Sequence, residues 1–358
     1  MRPHLAGGAL VLLALTACAA PAASPSAPAP PAAAAAPVDA PEVAPPTPSP
    51  AALVRVRYGI AGSGGATAVL RLMNERNTWA EEGLKAEPTD FQADPVAAAA
   101  LVAGELDFNV GGAEAMVVAA VRGADVRVVG LYQNRFEYQL IGSKDVRSAQ
   151  DLKGRTVGVS RFGSNSHFAT KQVLARLGID PDADVTIFQV GNTPERVAAL
   201  QSGAIQAALM SPEVVGTLVQ AGHPNLADMS KMDIAYPFQA IGTSQALLER
   251  QPEVAEAFLR AVYRGIRLFR EEPQAAQRVL AERAAEMDPA ALQGLWESYR
   301  NAFTTDLTPE PRVFALLVEE LGRADATIQG AVPEQYLDLR PVRRVNDSGF
   351  PQRLFATR

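Results

Sequence analysis

From residue 54 onward the chain alternates short apolar runs with longer segments at helical spacing, and no other feature restricts its fold as strongly. Residues 54–60 read V-R-V-R-Y-G-I, a strand by their period of two. A loop of small residues, Gly62-Ser63-Gly64-Gly65, follows. Residues 66–77 then place Val69, Leu70, Leu72 and Met73 at helical spacing. Strands are expected again at 85–91, 106–110 and 126–132, with helices at 95–103 and 114–122. After 138–142 a second series repeats the order. Its strands fall at 156–160, 185–190 and 207–210, and its helices at 166–177, 194–202 and 213–221. Strands alternating with helices predict parallel sheets covered on both faces.

Beyond residue 251 the pattern changes. Segments 252–269, 273–285, 289–303 and 309–323 each begin with a proline, which suits a first helical turn because its missing N–H would be unpaired there anyway. No strand pattern separates them, so they are expected to pack around one sheet rather than form a bundle of their own. The predicted class is α/β, with two Rossmann-like lobes and a C-terminal helical tail. In open parallel sheets ligands bind beyond the carboxyl ends of the strands. Two sets of strand-tip loops facing one another would enclose a cleft able to open and shut about a hinge.

Four loops supply the candidate ligand contacts. Ser160 to His167 follows a strand and opens a helix; Ser164 or Asn165 can cap that helix, Ser166 stands beside them, and Arg161 could add charge. Spare N–H groups and the positive dipole end favour an anion or a polar oxygen there. Ser63, Gly64 and Gly65 form a second loop, where glycine permits close approach of a ligand to backbone. It fails as a dinucleotide fingerprint, because Thr67 stands where the last glycine is needed, and as a P-loop, because no Gly-Lys-Ser/Thr follows. Gly112, Ala113 and Glu114 make the third loop; Glu114 could contact a ligand amine or hydroxyl, but a plain interaction with the helix dipole is the preferred role. Ser211, Pro212 and Glu213 make the fourth, with the same ambiguity at Glu213. Phe136, Phe162 and Phe238, near these ends, are expected in core or hinge packing, as are Trp79 and Trp296 in helices.

The N-terminus is a targeting segment. Arg2 supplies a positive charge and 5–17 an apolar run too short to span a bilayer, which needs about 20 residues, but suited to a secretory signal. Leu15-Thr16-Ala17-Cys18 resembles the bacterial lipobox, so 1–17 are expected to be removed and Cys18 acylated, anchoring the protein at a membrane surface. Residues 18–52, nearly all Ala, Pro and Ser, make a disordered tether. With one cysteine, no intrachain disulfide is possible, and with only His167 and His223 outside the signal no metal site is expected. A formal charge of −6 with no basic stripe argues against nucleic acid. No cofactor is expected.

Several stretches resemble the NitT/TauT-type periplasmic binding proteins, which include sulfonate, taurine and nitrate binders of ABC importers. They are Trp79 to Leu84, Ala100 to Phe108, the Asp151-Leu152-Lys153-Gly154 element with Val157-Gly158-Val159, and Ala198 to Ala207, in which Gln206 replaces the usual Asp. The resemblance covers about 56–306. It implies lobe one at 53–141 plus 242–358, lobe two at 142–241, crossover strands with a return near Ile241, and ligand contacts from the four loops. It also implies a monomer that passes a small-molecule solute to ABC permease subunits. Competing functions are a secreted hydrolase using Ser63 with His167 or His223 as base, an enzyme on the same fold resembling the thiamine-pyrimidine synthases, and a sensory lipoprotein.

Overall fold

The computed structural model describes residues 52–62, 64–232, 234–282 and 287–356. The signal segment, Cys18, nearly all of the tether and Ser63 lie outside them. Lobe one opens with β1 (Val54–Ala61), α1 (Ala68–Arg76), β2 (Leu84–Phe91), α2 (Asp94–Val102), β3 (Phe108–Gly111), α3 (Ala113–Val121) and β4 (Arg127–Arg135). Lobe two holds β5 (Gln139–Gly142), β6 (Thr156–Val159), α4 (Asn165–Arg176), β7 (Thr186–Gln189), α5 (Thr193–Gln201), β8 (Ala207–Met210), α6 (Pro212–Gln220) and β9 (Asn225–Asp228). The chain then returns through β10 (Ala235–Thr243) into the tail of α7 (Gln245–Arg250), α8 (Pro252–Glu271), α9 (Pro273–Ala281), α10 (Pro289–Ala302), α11 (Pro311–Ala324), α12 (Arg340–Asp347) and α13 (Phe350–Phe355).

The sheets run β2-β1-β3-β10-β4 and β7-β6-β8-β5-β9. Both are mixed, not parallel as the alternation predicts. β10 is antiparallel to β3 and β4, and β5 to β8 and β9. The reason is topological. A strand that enters a sheet from the side facing the other lobe must run against strands whose carboxyl ends point at that side. β5 follows β4 out of lobe one, and β10 follows β9 out of lobe two. The crossings therefore fall at 136–138 and in the link from β9 to β10. Residues 139–141 pair in the sheet of lobe two and 235–241 in that of lobe one, earlier than the boundaries expected at 141 and 241. β10 escapes a sequence reading because Pro237 removes a ladder N–H from the middle of a central strand. Its pairing with β4 shifts register between Ala235 and Gln239, and that irregularity accommodates the proline.

Aromatic rings staple the two crossings together. Phe136 stacks on Tyr236 at 4.2 Å, Phe168 on Tyr236 at 4.5 Å, and Tyr138 meets Phe238 edge-on at 5.2 Å. The tail packs on lobe one. α8 buries Val254, Phe258, Leu259, Val262, Ile266 and Phe269, a stripe at helical spacing. Phe258 stacks on Phe108 at 4.0 Å and touches Tyr58 and Trp79. The Trp79 indole N–H and the Tyr58 hydroxyl both donate to Asn74 Oδ1, so these rings satisfy their polar ends while burying their faces. Among the described residues no helix is long and apolar enough to cross a membrane.

Candidate functional site

The carboxyl ends of β1 and β2 in lobe one and of β6, β7 and β8 in lobe two converge on one cavity of about 50 Å³. Gly64, Asn165, Ser166 and Ser211, each expected from sequence, line it together with Ser160, Asn192, Thr193 and Gln239. Gly65, Gly112, Ala113, Glu114, Ser164 and Glu213 are buried beside or behind it and do not line it. Ser164 caps α4, its hydroxyl accepting from the His167 N–H, and Ser166 Oγ accepts from the Ser160 N–H at 2.8 Å. Arg161 is a correction. It is exposed and outside the lining, because the turn that points Ser160 inward sends the next side chain to solvent.

Two carboxylates cross the gap in opposite directions and hold the lobes against each other. Asp94, first residue of α2 in lobe one, accepts from the Gly112 N–H at 2.7 Å and from the Asn165 N–H of lobe two at 3.1 Å. Glu213, near the start of α6 in lobe two, accepts from the Gly65 N–H and from the Tyr299 hydroxyl of α10, both at 3.2 Å. The start of α4, expected to favour an anion or a polar oxygen, thus holds the protein's own Asp94. Asn165 also donates through Nδ2 to the Phe238 carbonyl at 3.0 Å. Burial pushes the Asp94 carboxyl above its ordinary range, opposed by the two N–H groups it accepts from.

Glu114 sits behind this junction. Burial, then the charge of Asp94, raises its carboxyl well above the ordinary value, and the Tyr236 hydroxyl donates to it at 2.8 Å. A Cβ at Gly112 would lie 2.7 Å from both Glu114 oxygens and 2.8 Å from Asn165 Oδ1, so any larger residue there must displace those side-chain ends. Glu114 therefore packs under the lobe junction rather than at the cavity wall.

Sequence reasoning missed three groups. Arg196 of α5 is 2 % exposed and lines the cavity. Its guanidinium donates to the carbonyls of Leu209 and Gly191 and to the Thr193 hydroxyl. The capping box of Asn192 and Glu195 immediately before it was the available signal. Tyr299 reaches the cleft from the tail. Glu137, in the first crossing, lines the cavity and accepts from the Ser298 hydroxyl at 3.0 Å.

Burial pushes the Glu137 carboxyl from 4.5 up to about 6. A carboxyl raised on folding binds more protons folded than unfolded. Its contribution is whole below about pH 4.5 and is lost as pH rises through about 6, a change of about 2 kcal/mol. Glu137→Gln is expected to remove that slope; chemical denaturation at pH 4.5 and 7 on both proteins measures it, and parallel pH dependences would contradict it.

The two histidines of the hydrolase alternative are engaged elsewhere. His223 Nδ1 lies 3.0 Å from the Gly142 carbonyl, and Gly142 pairs with the first residue of β8, at the end of that sheet away from the cavity. His167 Nδ1 accepts from the Gly163 N–H at 3.1 Å, and the ring does not line the cavity.

A putative binding protein of Brucella abortus is 26% identical over 203 residues, 57% of this chain and 61% of that protein. The riboflavin-binding protein RibY of Chloroflexus aurantiacus is 27% identical over 269 residues, 72% of each chain. The alkanesulfonate-binding protein SsuA of Xanthomonas axonopodis pv. citri, solved with MOPS bound, superposes with a TM-score of 0.64 over 81% of this chain and 97% of that one, at 19% identity. That likeness is one of fold, and it matches the two mixed-sheet lobes described above. The family model described as NMT1/THI5 like matches residues 57–276, more than half of the chain, and the protein belongs to that family.

Proposed function

We propose that this protein is the extracytoplasmic solute-binding component of an ABC importer, non-enzymatic, anchored through an acylated Cys18 and raised from the membrane by the 18–52 tether. The convergence of polar strand-tip loops from two lobes on a single cleft carries this reading. Two short crossings, 136–138 and the link from β9 to β10, are the parts that would bend as the cleft opens. The likeness to a riboflavin-binding and an alkanesulfonate-binding protein supports a solute trap of this kind, which in this reading works as a monomer with permease subunits. Candidate solutes are a sulfonate, taurine, nitrate, a pyrimidine or a flavin. A cavity of about 50 Å³ has room for a few waters or a small polar molecule, well below the several hundred Å³ of drug-sized pockets, so a flavin requires the lobes to stand further apart.

Calorimetry and thermal shift on the full chain against that panel test the proposal. At least one solute should bind in a one-to-one ratio, raise the melting temperature and be recovered chemically unchanged. Silence toward every solute, or turnover of one of them, would overturn it.

A further inference from the structure

We propose that the cleft admits a small bipolar guest, whose anionic group pairs with Arg196 and whose amine or other N–H donor faces Glu137 at the hinge wall. This names the solute class for the cleft proposed above as a solute trap and rests on that reading.

Arg196 is the starting point. A guanidinium carries five N–H donors and stays charged. Three of those donors go to neutral acceptors, the carbonyls of Leu209 and Gly191 and the Thr193 hydroxyl, and no carboxylate of the described residues is within ion-pair distance, although Glu195 and Glu213 favour the charge from further off. Arg196 is 2 % exposed, its burial outweighs the help of those carboxylates, and a counter-charge supplied by a guest would offset that cost. Its side chain lines the cavity, so a guest can reach it.

Two other positions where an anion would settle are occupied. The first N–H of α4 is held by Asp94 and the Gly65 N–H by Glu213. An anionic group entering the cavity is therefore directed to Arg196 rather than to a helix start. The same cavity is lined by two carboxylates, Asp94 and Glu137, against that one cation. Both oxygens of Asp94 already accept backbone N–H groups, whereas among the described residues Glu137 is bonded only through Oε2, to Ser298. A guest that is an anion and nothing more would gain from Arg196 and be repelled by two carboxylates at close range. A guest that brings its own positive donor turns the Glu137 repulsion into attraction. The small cavity sets the two groups of the guest a few bonds apart.

Calorimetry at pH 7.5 on the full chain with matched probes, β-alanine against propionate and taurine against ethanesulfonate, tests this. The amine-bearing member of at least one pair should bind ten-fold or more tighter than its amine-free partner. Arg196→Gln should weaken that binding at least ten-fold, with Arg196→Lys intermediate, and Glu137→Gln should shrink the preference for the amine while leaving anion affinity equal or better. If Arg196→Gln fails to fold, the Glu137→Gln result decides. Equal affinity within both pairs, an unchanged preference in Glu137→Gln, or binding only of solutes lacking one of the two groups, such as nitrate or riboflavin, would overturn the bipolar guest. In that last case the solute trap itself would stand; no binding by any solute would remove both.

Discussion

Asp94→Ala is expected to part the lobes and to weaken solute binding about a hundred-fold. The carboxylate is 7 % exposed and joins the Gly112 N–H of lobe one to the Asn165 N–H of lobe two. Each hydrogen bond to a charged group contributes roughly 1.5–3 kcal/mol, and an N–H left buried without a partner costs about as much again as an ordinary bond contributes. Opposing this, removal of Asp94 relieves the charge that raises the neighbouring Glu114. That relief is the smaller effect, because burial outranks the Asp94 charge among the causes at Glu114. A net loss of about 3 kcal/mol from the closed state is about two powers of ten in its population. Opening lets water satisfy both N–H groups, so the loss falls on closure rather than on the fold. Val102 in lobe one and Val219 in lobe two are 48 % and 46 % exposed, and their replacement by cysteine in a Cys18→Ser chain gives two labelling sites for energy transfer. Asp94→Ala should lower transfer in the solute-free protein and reduce affinity for whichever solute binds the parent. An unchanged transfer with affinity within two-fold would show that Asp94 does not hold the lobes together. Asp94→Asn, which keeps one acceptor oxygen, should fall between.

Much of this architecture was legible from residue patterns. Strand-to-helix junctions declare themselves locally, through a short apolar run, small residues and a capping Ser or Asn, and so Gly64, Asn165, Ser166 and Ser211 could be chosen from their own neighbourhoods. Asp94 could not, because its defining partner is 71 residues away at Asn165 and its own surroundings show only an ordinary helix start. The same holds for Glu213 and Gly65, 148 residues apart. The capping box of Asn192 and Glu195 marks a helix start beside Arg196, but not that the long side chain turns inward to Leu209 and Gly191. β10 was hidden by Pro237, since local propensity argues against a central strand and only the two sheet neighbours override it. Local signals fixed the tips of the strands, and the contacts between lobes belong to the tertiary arrangement alone.

Gly65→Val is expected to abolish tight closure outright. Gly65 does not adopt a left-handed backbone, so the constraint there is space rather than conformation. A Cβ at this position would lie 2.2 Å from Tyr299 Cε2, 2.6 Å from its Cζ and 2.9 Å from Leu280 Cδ2. The ring cannot simply swing away, because Tyr299 is 1 % exposed and stacked on Phe303 at 5.8 Å. Inserting methyl groups into such a packed site costs about 1–3 kcal/mol by itself. Displacing Tyr299 also breaks its hydrogen bond to Glu213, and moving residue 65 breaks the Gly65 N–H bond to the same carboxylate. Both lobe-to-lobe contacts of Glu213 named here thus depend on the missing side chain at one position. The combined effect should exceed a hundred-fold in solute affinity, with Gly65→Ala weaker but in the same direction. A steric cause makes a further demand that an electrostatic one does not. Tyr299→Ala should itself weaken binding, yet it should restore room, so that Gly65→Ala added to Tyr299→Ala costs far less than Gly65→Ala alone. Additive losses in that double-mutant cycle would show that residue 65 acts on the cleft by some route other than its contact with Tyr299.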